Sequence, residues 1–89
     1  MINRVLHLIL AGTYWDQFDR GEKTVEYRRN SLWLRERLKG RTIVCFHRGY
    51  TKKTIRFKIA RVEYTPHIDQ FEFTVGERVD LSAAEPPRY

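Results

Sequence analysis

An alternating segment at residues 54–64 constrains the fold of this 89-residue chain more than any other stretch. Ile55, Phe57 and Ile59 alternate with charged residues, which is the pattern of a strand with one face in a core and the other in solvent. After Ala60 the alternation shifts by one position, and a β-bulge there would return the apolar side chains to the core face. Because such bends occur where strands turn barrel corners, the segment predicts a curved sheet.

The other predicted elements are short, and glycines separate several of them. The hydrophobic pattern predicts strands over 5–10, 23–28, 42–47 and 77–81 and helices over 14–20 and 32–39. The apolar run at 5–10 favours a strand covered on both faces. Residues 68–73 fit either a short helix or an irregular strand.

The two predicted helices carry end signals of their own. Thr13 is expected to cap the first helix, and Asn30 or Ser31 the second. Gly21 and Gly40 are expected to follow the last helical residues, because glycine readily adopts the left-handed backbone that commonly ends a helix.

Length and composition indicate one domain over residues 1–82 and a poorly ordered tail over 83–89. The sequence has neither an apolar run near the roughly 20 residues that a membrane span needs nor a leader pattern, so we expect a cytoplasmic protein. The single cysteine, Cys45, excludes an internal disulfide and stands among apolar residues, which predicts a buried, inert thiol.

Three histidines are distributed without the spacing of a zinc site, so we expect no metal and no cofactor. His7 is predicted to be a hydrogen-bonded interior residue of the first strand. His67, after Pro66, is predicted to lie in a loop. His47 stands at a predicted strand end beside a turn, which makes it the histidine best placed for acid–base chemistry.

Positive charge is concentrated in the middle of the chain. The formal net charge is +6, yet residues 20–61 hold fourteen Lys and Arg against three Glu. Such a segment is typical of proteins that bind polyanions. The predicted partner is therefore RNA or single-stranded nucleic acid, or a nucleotide-like small molecule, with an acidic protein as an alternative.

Aromatic residues accompany these cations, which matters because bases stack on aromatic faces. Tyr27 precedes two arginines, Trp33 stands near two more, and Tyr50 lies between Arg48 and a pair of lysines. For Tyr27 and Trp33, packing against the barrel is favoured over stacking. Tyr50 lies in a predicted turn, where packing explains less and a binding role gains weight.

Residues 21–28 combine a turn with a charged strand. With a side-chain period of two, Glu26 and Arg28 share one face of the strand, opposite Tyr27. One interpretation is a polar cleft in which Lys23, just before the strand, joins Glu26 and Arg28. The other is a half-exposed strand whose charges lie in solvent.

The same residues resemble the signature of the ASCH domain family, a branch of the PUA-like superfamily. The pattern Gly-x-Lys-x-x-Glu-x-Arg is met by Gly21, Lys23, Glu26 and Arg28. Residues 8–18 are similar to the family's first strand and helix, and residues 46–50 to a strand end and turn of its small bacterial and phage members. The resemblance implies an α+β fold, a small PUA-like β-barrel of about five strands with two short helices flanking a cleft.

Charge, aromatic residues and resemblance together favour a nucleic-acid-binding module of the ASCH type that uses a basic cleft. The residues predicted to bind nucleic acid are Lys23, Arg28, Arg29, Arg48, Tyr50, Lys52 and Lys53. A protein-binding domain that docks on an acidic partner is a further hypothesis.

The alternative function is a small metal-independent hydrolase, either a ribonuclease or an amidohydrolase acting on a modified nucleoside. Its catalytic residues would be Lys23, Glu26 and His47. The resemblance to amidohydrolases of the family implies a lysine, a threonine and a later glutamate. Lys23 matches the lysine, Glu26 occupies the threonine position, and Glu63 is the candidate for the later glutamate.

Overall fold

The structure is a computed structural model, and it describes residues 4–79. Its elements in chain order are β1 (Val5–Leu10), α1 (Gly12–Asp19), β2 (Val25–Arg29), α2 (Leu32–Leu38), β3 (Ile43–Arg48), β4 (Thr54–Thr65) and β5 (Gln70–Arg78). The tail expected at 83–89 lies outside the described residues. No helix within the described range has the length and apolar character needed to span a membrane.

The five strands form one sheet in the order β1-β3-β4-β5-β2. β1 and β3 are parallel, and every other pair of neighbours is antiparallel. The sheet curls into a half-barrel, and the guanidinium of Arg28 on β2 donates a 2.6 Å hydrogen bond to the carbonyl oxygen of Ile9 on β1. This contact joins the two edge strands. The prediction of an α+β fold with a curved five-stranded sheet and two short helices is confirmed.

β4 breaks its alternation close to the predicted position. Its register with β5 shifts between Phe57 and Ile59 and again between Ile59 and Arg61. Ile55 and Phe57 are buried before the break, as the alternation predicts. The irregularity lets the sheet bend, so the predicted bulge is confirmed within two residues.

β5 differs from the prediction of a closing strand over 77–81. It begins at Gln70, takes in the ambiguous segment at 68–73 from that point, and continues through Gly76 to Arg78. The strand is hydrogen-bonded to β4 on one side and β2 on the other. Residues 70–74 pair with both neighbouring strands, so the strand begins well before Gly76, which is the reason the prediction was wrong. Positions 80 and 81 of the predicted strand lie outside the described residues.

β1 is covered on one face rather than on both. Leu6, Leu8 and Leu10 point into the core, whereas His7 and Ile9 are exposed. The strand is an edge strand. The prediction that His7 is an interior residue is therefore wrong, although its ring does make a hydrogen bond.

α1 starts two residues earlier than predicted. Its N-cap is Ala11, which offers no side-chain hydrogen bond, and Thr13 lies inside the helix. The capping role predicted for Thr13 is therefore wrong. The expected glycine after the helix is confirmed, since Gly21 has a φ of 77°.

α2 begins and ends where the sequence indicates. The hydroxyl of Ser31 accepts a 3.0 Å hydrogen bond from the backbone N–H of Leu34, which confirms the cap. Gly40 follows the C-cap residue with a φ of 71°. Leu34 faces the core and Leu38 packs against it, so the opposite side of the helix is available for other contacts.

The core lies inside the curl, between the sheet and the helices. Its largest fully buried side chains are Phe18, Phe46 and Phe73, one each from α1, β3 and β5. Trp15 of α1 is also buried, and its indole N–H donates a 3.0 Å hydrogen bond to the carbonyl oxygen of Phe46. α1 is thus fixed to β3 by both apolar packing and a satisfied polar contact.

Candidate nucleic-acid interface

Trp33 stands where three hollows meet beside β1 and α2. The largest, of about 460 Å³, lies over the outer face of β1. Hollows of about 290 Å³ and about 110 Å³ adjoin it and share Trp33 with it. We call the three together the Trp33 groove, and its charged and aromatic lining residues are His7, Arg28, Arg29, Trp33, Arg37, Arg41 and His47.

The lining of the Trp33 groove is basic. It includes four arginines, and none of the residues that line the three described hollows is Asp or Glu. Apolar surface between the cations comes from β1 residues such as Leu8 and Ile9. A groove with cations and no lining carboxylate favours an anionic ligand.

Trp33 owes its position to the phase of α2. Leu34 faces the core, so the adjacent Trp33 is turned about 100° away from it. Arg37 lies four residues on, on the same side of the helix, with its guanidinium carbon 5.4 Å from the centre of the Trp33 ring. Half of the Trp33 surface, 52%, is exposed, so packing accounts for only part of this residue.

Glu26 and Arg28 share a face of β2, as the period of two predicts. The Arg28 Nε donates a 2.8 Å hydrogen bond to Oε2 of Glu26, whose side chain is buried. A second guanidinium nitrogen reaches the carbonyl oxygen of Ile9, and the same side chain lines the groove. Arg28 is therefore held in one orientation at the seam between β1 and β2.

Lys23 does not join that pair. Its ammonium nitrogen lies 5.5 Å from the ring centres of Tyr14 and Phe18 and 5.9 Å from that of Tyr27. Within residues 4–79 it forms no ion pair with Glu26, and it does not line the Trp33 groove. The structure thus brings together two of the three charged residues expected in one cleft.

Tyr27 is the outward-facing residue of β2. Its side chain is about half exposed, although packing was predicted to bury it. β2 is an edge strand, which explains the difference. Tyr27 and the half-buried Lys23 form a second aromatic and cationic pair, outside the lining of the groove.

Arg48 is committed to a structural contact. Its guanidinium donates to both carboxylate oxygens of Asp16, with Nε to Oδ1 at 3.0 Å and the second nitrogen to Oδ2 at 3.1 Å. The hydrogen bond from Arg48 is the main reason that the pKa of Asp16 lies below its ordinary value, and the same bond raises the pKa of Arg48. The pair ties α1 to the end of β3.

The turn between β3 and β4 presents the other predicted binding residues. Tyr50 is 95% exposed, and Lys52 and Lys53 beside it are exposed too. The backbone N–H of Arg48 donates to the carbonyl oxygen of Lys53 at 3.0 Å, and the hydroxyl of Thr51 donates to that of Arg48 at 2.6 Å. These bonds fix the turn, so Tyr50 projects from an ordered loop.

Sequence reasoning missed a cluster made by His7, Cys45 and His47. One potential ligand atom from each lies within 4.8 Å of the others, and Nδ1 of His7 is 2.9 Å from Nε2 of His47. The sequence does contain a Cys-x-His pattern in one strand and a histidine in another, which could have indicated the cluster. Only the parallel pairing of β1 with β3 brings them together.

Glu63, the candidate for a hydrolase carboxylate, lies away from Glu26. Glu63 pairs across the sheet with Glu72, and Glu72 pairs with Tyr27. Residues directly opposite each other share a face, so Glu63 lies on the Tyr27 face of the sheet and Glu26 on the other. Glu63 also forms a 2.8 Å ion pair with Arg61.

Comparison of the chain with protein-family models, curated proteins and solved structures gives no match. Membership of the ASCH family therefore stays a prediction from the sequence motif. The functional argument depends on the geometry of the groove.

Proposed function

We propose that this protein is a nucleic-acid-binding module of the ASCH type, with a small PUA-like barrel, that binds single-stranded RNA in the Trp33 groove. The observation that carries the proposal is the exposed Trp33 ring among four groove arginines, with no carboxylate in the lining. Aromatic faces and cations are the two components of single-strand recognition.

The dimensions of the groove suit a nucleotide. The hollow of about 460 Å³ lies within the range of small-ligand sites, and Trp33 and Arg28 both line it. Stacking of a base on Trp33 would contribute about 1–3 kcal/mol, and arginines would contact the adjoining phosphates. A free nucleotide-like molecule would use the same contacts with fewer phosphates.

Arg28 is a preorganised contact. Because Glu26 and the carbonyl oxygen of Ile9 already hold its guanidinium, binding would immobilise little additional side-chain freedom. Its planar group can hydrogen-bond a phosphate or a base carbonyl oxygen. Arg28 would thus orient the nucleotide that stacks on Trp33.

The β3–β4 turn would supply a second contact for a longer strand. β3 carries His47 in the groove lining and then enters the turn that presents Tyr50, Lys52 and Lys53. Tyr50 would stack a further base, and the lysines would neutralise phosphates. In this arrangement Arg48 supports the turn through Asp16 and is not a principal phosphate contact.

The hydrolase alternative has less support from the geometry. Lys23 lies among aromatic rings, and Glu63 faces the opposite side of the sheet from Glu26. His47 is the one proposed catalytic residue that lines the groove. A binding function therefore accounts for more of the arrangement than turnover does.

A salt titration tests the proposal. The full chain is titrated into a labelled single-stranded RNA of mixed sequence at several salt concentrations, with fluorescence anisotropy as the readout. Three phosphate contacts would give a slope of roughly −2 in a plot of log affinity against log salt, since each contributes about −0.7 on a single strand. No measurable affinity at low salt, or affinity that does not change with salt, would contradict the proposal.

A pull-down with nuclease treatment distinguishes an RNA ligand from an acidic protein partner. Partners captured from a cell extract on the immobilised full chain should be released by nuclease treatment if RNA is the ligand. Capture that is insensitive to nuclease would favour docking on an acidic protein and would overturn the RNA proposal.

A further inference from the structure

Three side chains with metal-binding atoms meet on the outer face of β1 and β3. Cys45 is 1% exposed, His7 is exposed, and His47 is intermediate between them. Sγ of Cys45 is 3.8 Å from Nε2 of His47, and Nδ1 of His7 is 2.9 Å from the same nitrogen. We infer that these three residues form a binding site for a zinc-like divalent cation.

Strand register explains why the cluster forms. His7 on β1 lies directly beside Cys45 on the parallel strand β3. Cys45 and His47 are two residues apart, so they share a face of β3, and the adjacent positions on β1 belong to the same face. The backbone positions of all three ligands are thus set by hydrogen-bonded strands rather than by a loop.

The distances are close to those of a tetrahedral zinc site. Zn–N bonds of about 2.0–2.1 Å and a Zn–S bond of about 2.3 Å place two nitrogens about 3.3 Å apart and a nitrogen and a sulfur about 3.6 Å apart. The observed separations are 2.9 Å and 3.8 Å, and the third is within 4.8 Å. Binding would require the two imidazole rings to turn so that both nitrogens point at one ion, because the nitrogens now face each other at 2.9 Å.

The two imidazoles face each other through nitrogens that cannot both carry a proton. At 2.9 Å one ring donates its proton in a hydrogen bond to the other, and the tautomers decide which ring is the donor. A metal ion would replace that proton and bind both lone pairs. The hydrogen bond between the rings would then be replaced by two metal–nitrogen bonds.

The ligand set selects the kind of ion. One thiolate and two imidazoles suit zinc and related transition metals, whereas magnesium and calcium require oxygen ligands. Three protein ligands leave the fourth tetrahedral position open. Because His7 and His47 line the Trp33 groove, that position would face the groove and hold water or an anionic oxygen.

Neighbouring arginines set a limit on affinity. Arg28 lines the same hollow, and Arg56 is the register partner of Cys45 on β4. Their positive charge opposes a divalent cation. The site would therefore favour ions that bond strongly to sulfur over hard cations of the same charge.

Cobalt titration tests the site without reference to nucleic acid. The untagged full chain is freed of metal with a chelator under reducing conditions and titrated with Co²⁺. We expect a thiolate-to-cobalt charge-transfer band in the near ultraviolet that saturates at one equivalent and disappears when Zn²⁺ is added. Excess Mg²⁺ should leave the band unchanged.

Ligand variants decide whether this cluster is responsible. His47→Gln and His7→Gln should each lower cobalt affinity by about 100-fold, and Cys45→Ala should remove the charge-transfer band. His67→Gln changes an exposed histidine outside the cluster and should bind cobalt like the unchanged chain. Circular dichroism checks folding, and His7→Gln, at an exposed position, keeps the test valid if Cys45→Ala unfolds.

Two results would overturn the inference. One is a chain that shows no saturable charge-transfer band with Co²⁺. The other is equal cobalt affinity in His47→Gln, His7→Gln and His67→Gln, since a site elsewhere would then hold the ion. Neither result bears on RNA binding, so this test and the salt titration fail independently.

Discussion

Trp15 and Trp33 show how differently two regions of this small fold use the same residue type. Trp15 is 7% exposed, packs among the phenylalanines of the core, and donates its indole N–H to the carbonyl oxygen of Phe46. Trp33 is 52% exposed on the outer side of α2, with Arg37 over its ring. Packing explains the first tryptophan but accounts for only part of the second.

The charges around the two tryptophans differ in the same way. Next to Trp15, Arg48 is neutralised by both oxygens of Asp16, so the charge stabilises the contact between α1 and β3. Around Trp33, the groove lining has arginines and no carboxylate. Arg28 also stabilises the fold through buried Glu26, so the contrast concerns the lining of the groove as a whole rather than each of its arginines.

The largest expected effect is on stability, at the buried tryptophan. Trp15→Ala should lower the free energy of unfolding by about 3–5 kcal/mol, because it leaves a cavity and removes a hydrogen bond. Urea denaturation measures the change. Trp33→Ala is the matched control and should cost less than about 1 kcal/mol. Equal losses of stability in the two variants would contradict the contrast.

For RNA affinity, unlike stability, the larger effect should come from Trp33. Trp33→Ala should weaken binding of single-stranded RNA by about 1–3 kcal/mol, since a base loses its stacking partner. The anisotropy titration measures this at fixed salt. Tyr64→Ala removes another exposed aromatic residue, on β4 and outside the groove lining, and should leave affinity unchanged. Equal losses in both variants would indicate a diffuse surface rather than a groove.

A smaller effect should appear in the salt dependence. Arg37→Gln removes one groove cation and should reduce the magnitude of the log–log salt slope by about 0.7. Arg61→Gln removes an exposed arginine that pairs with Glu63 away from the groove. The salt slope of Arg61→Gln should equal that of the unchanged chain. A similar change of slope in the two variants would contradict the distinction between groove charge and other surface charge.

The smallest expected effect is on stability in acid, through the Asp16–Arg48 pair next to Trp15. Because Arg48 holds the pKa of Asp16 below its ordinary value, the pair stabilises the fold above that ordinary value and loses this contribution as the pH falls through the folded pKa. Asp16→Asn should therefore be less stable at neutral pH, and its difference from the unchanged chain should shrink below about pH 4. Denaturation at several pH values measures it; a constant difference would contradict the assignment.

Local patterns predicted most of the fold. The Ser31 cap, the glycines after both helices and the break in β4 depend on neighbouring residues, and each was found within two residues of its expected place. β5 was misplaced because its start depends on the pairing of residues 70–74 with two distant strands, which no local pattern shows. The starting point of α1 was also missed, since Ala11 gives no capping signal.

The site was predicted less completely than the fold. Glu26 and Arg28 were expected on one face, and the period of a single strand is enough to place them. Lys23 precedes the strand, so its direction could not be read from that period. The contact between His7 and His47 depends on the pairing of β1 with β3 across 40 positions of sequence.

The indole N–H signals of the two tryptophans give the most direct test of the RNA-binding groove. The full chain, labelled with ¹⁵N, is titrated with single-stranded RNA at low salt and followed by two-dimensional NMR. We predict that the Trp33 signal shifts progressively to saturation while the Trp15 signal, held by its hydrogen bond to Phe46, stays in place. A Trp33 signal that remains unmoved when RNA is bound would contradict the groove as the binding site.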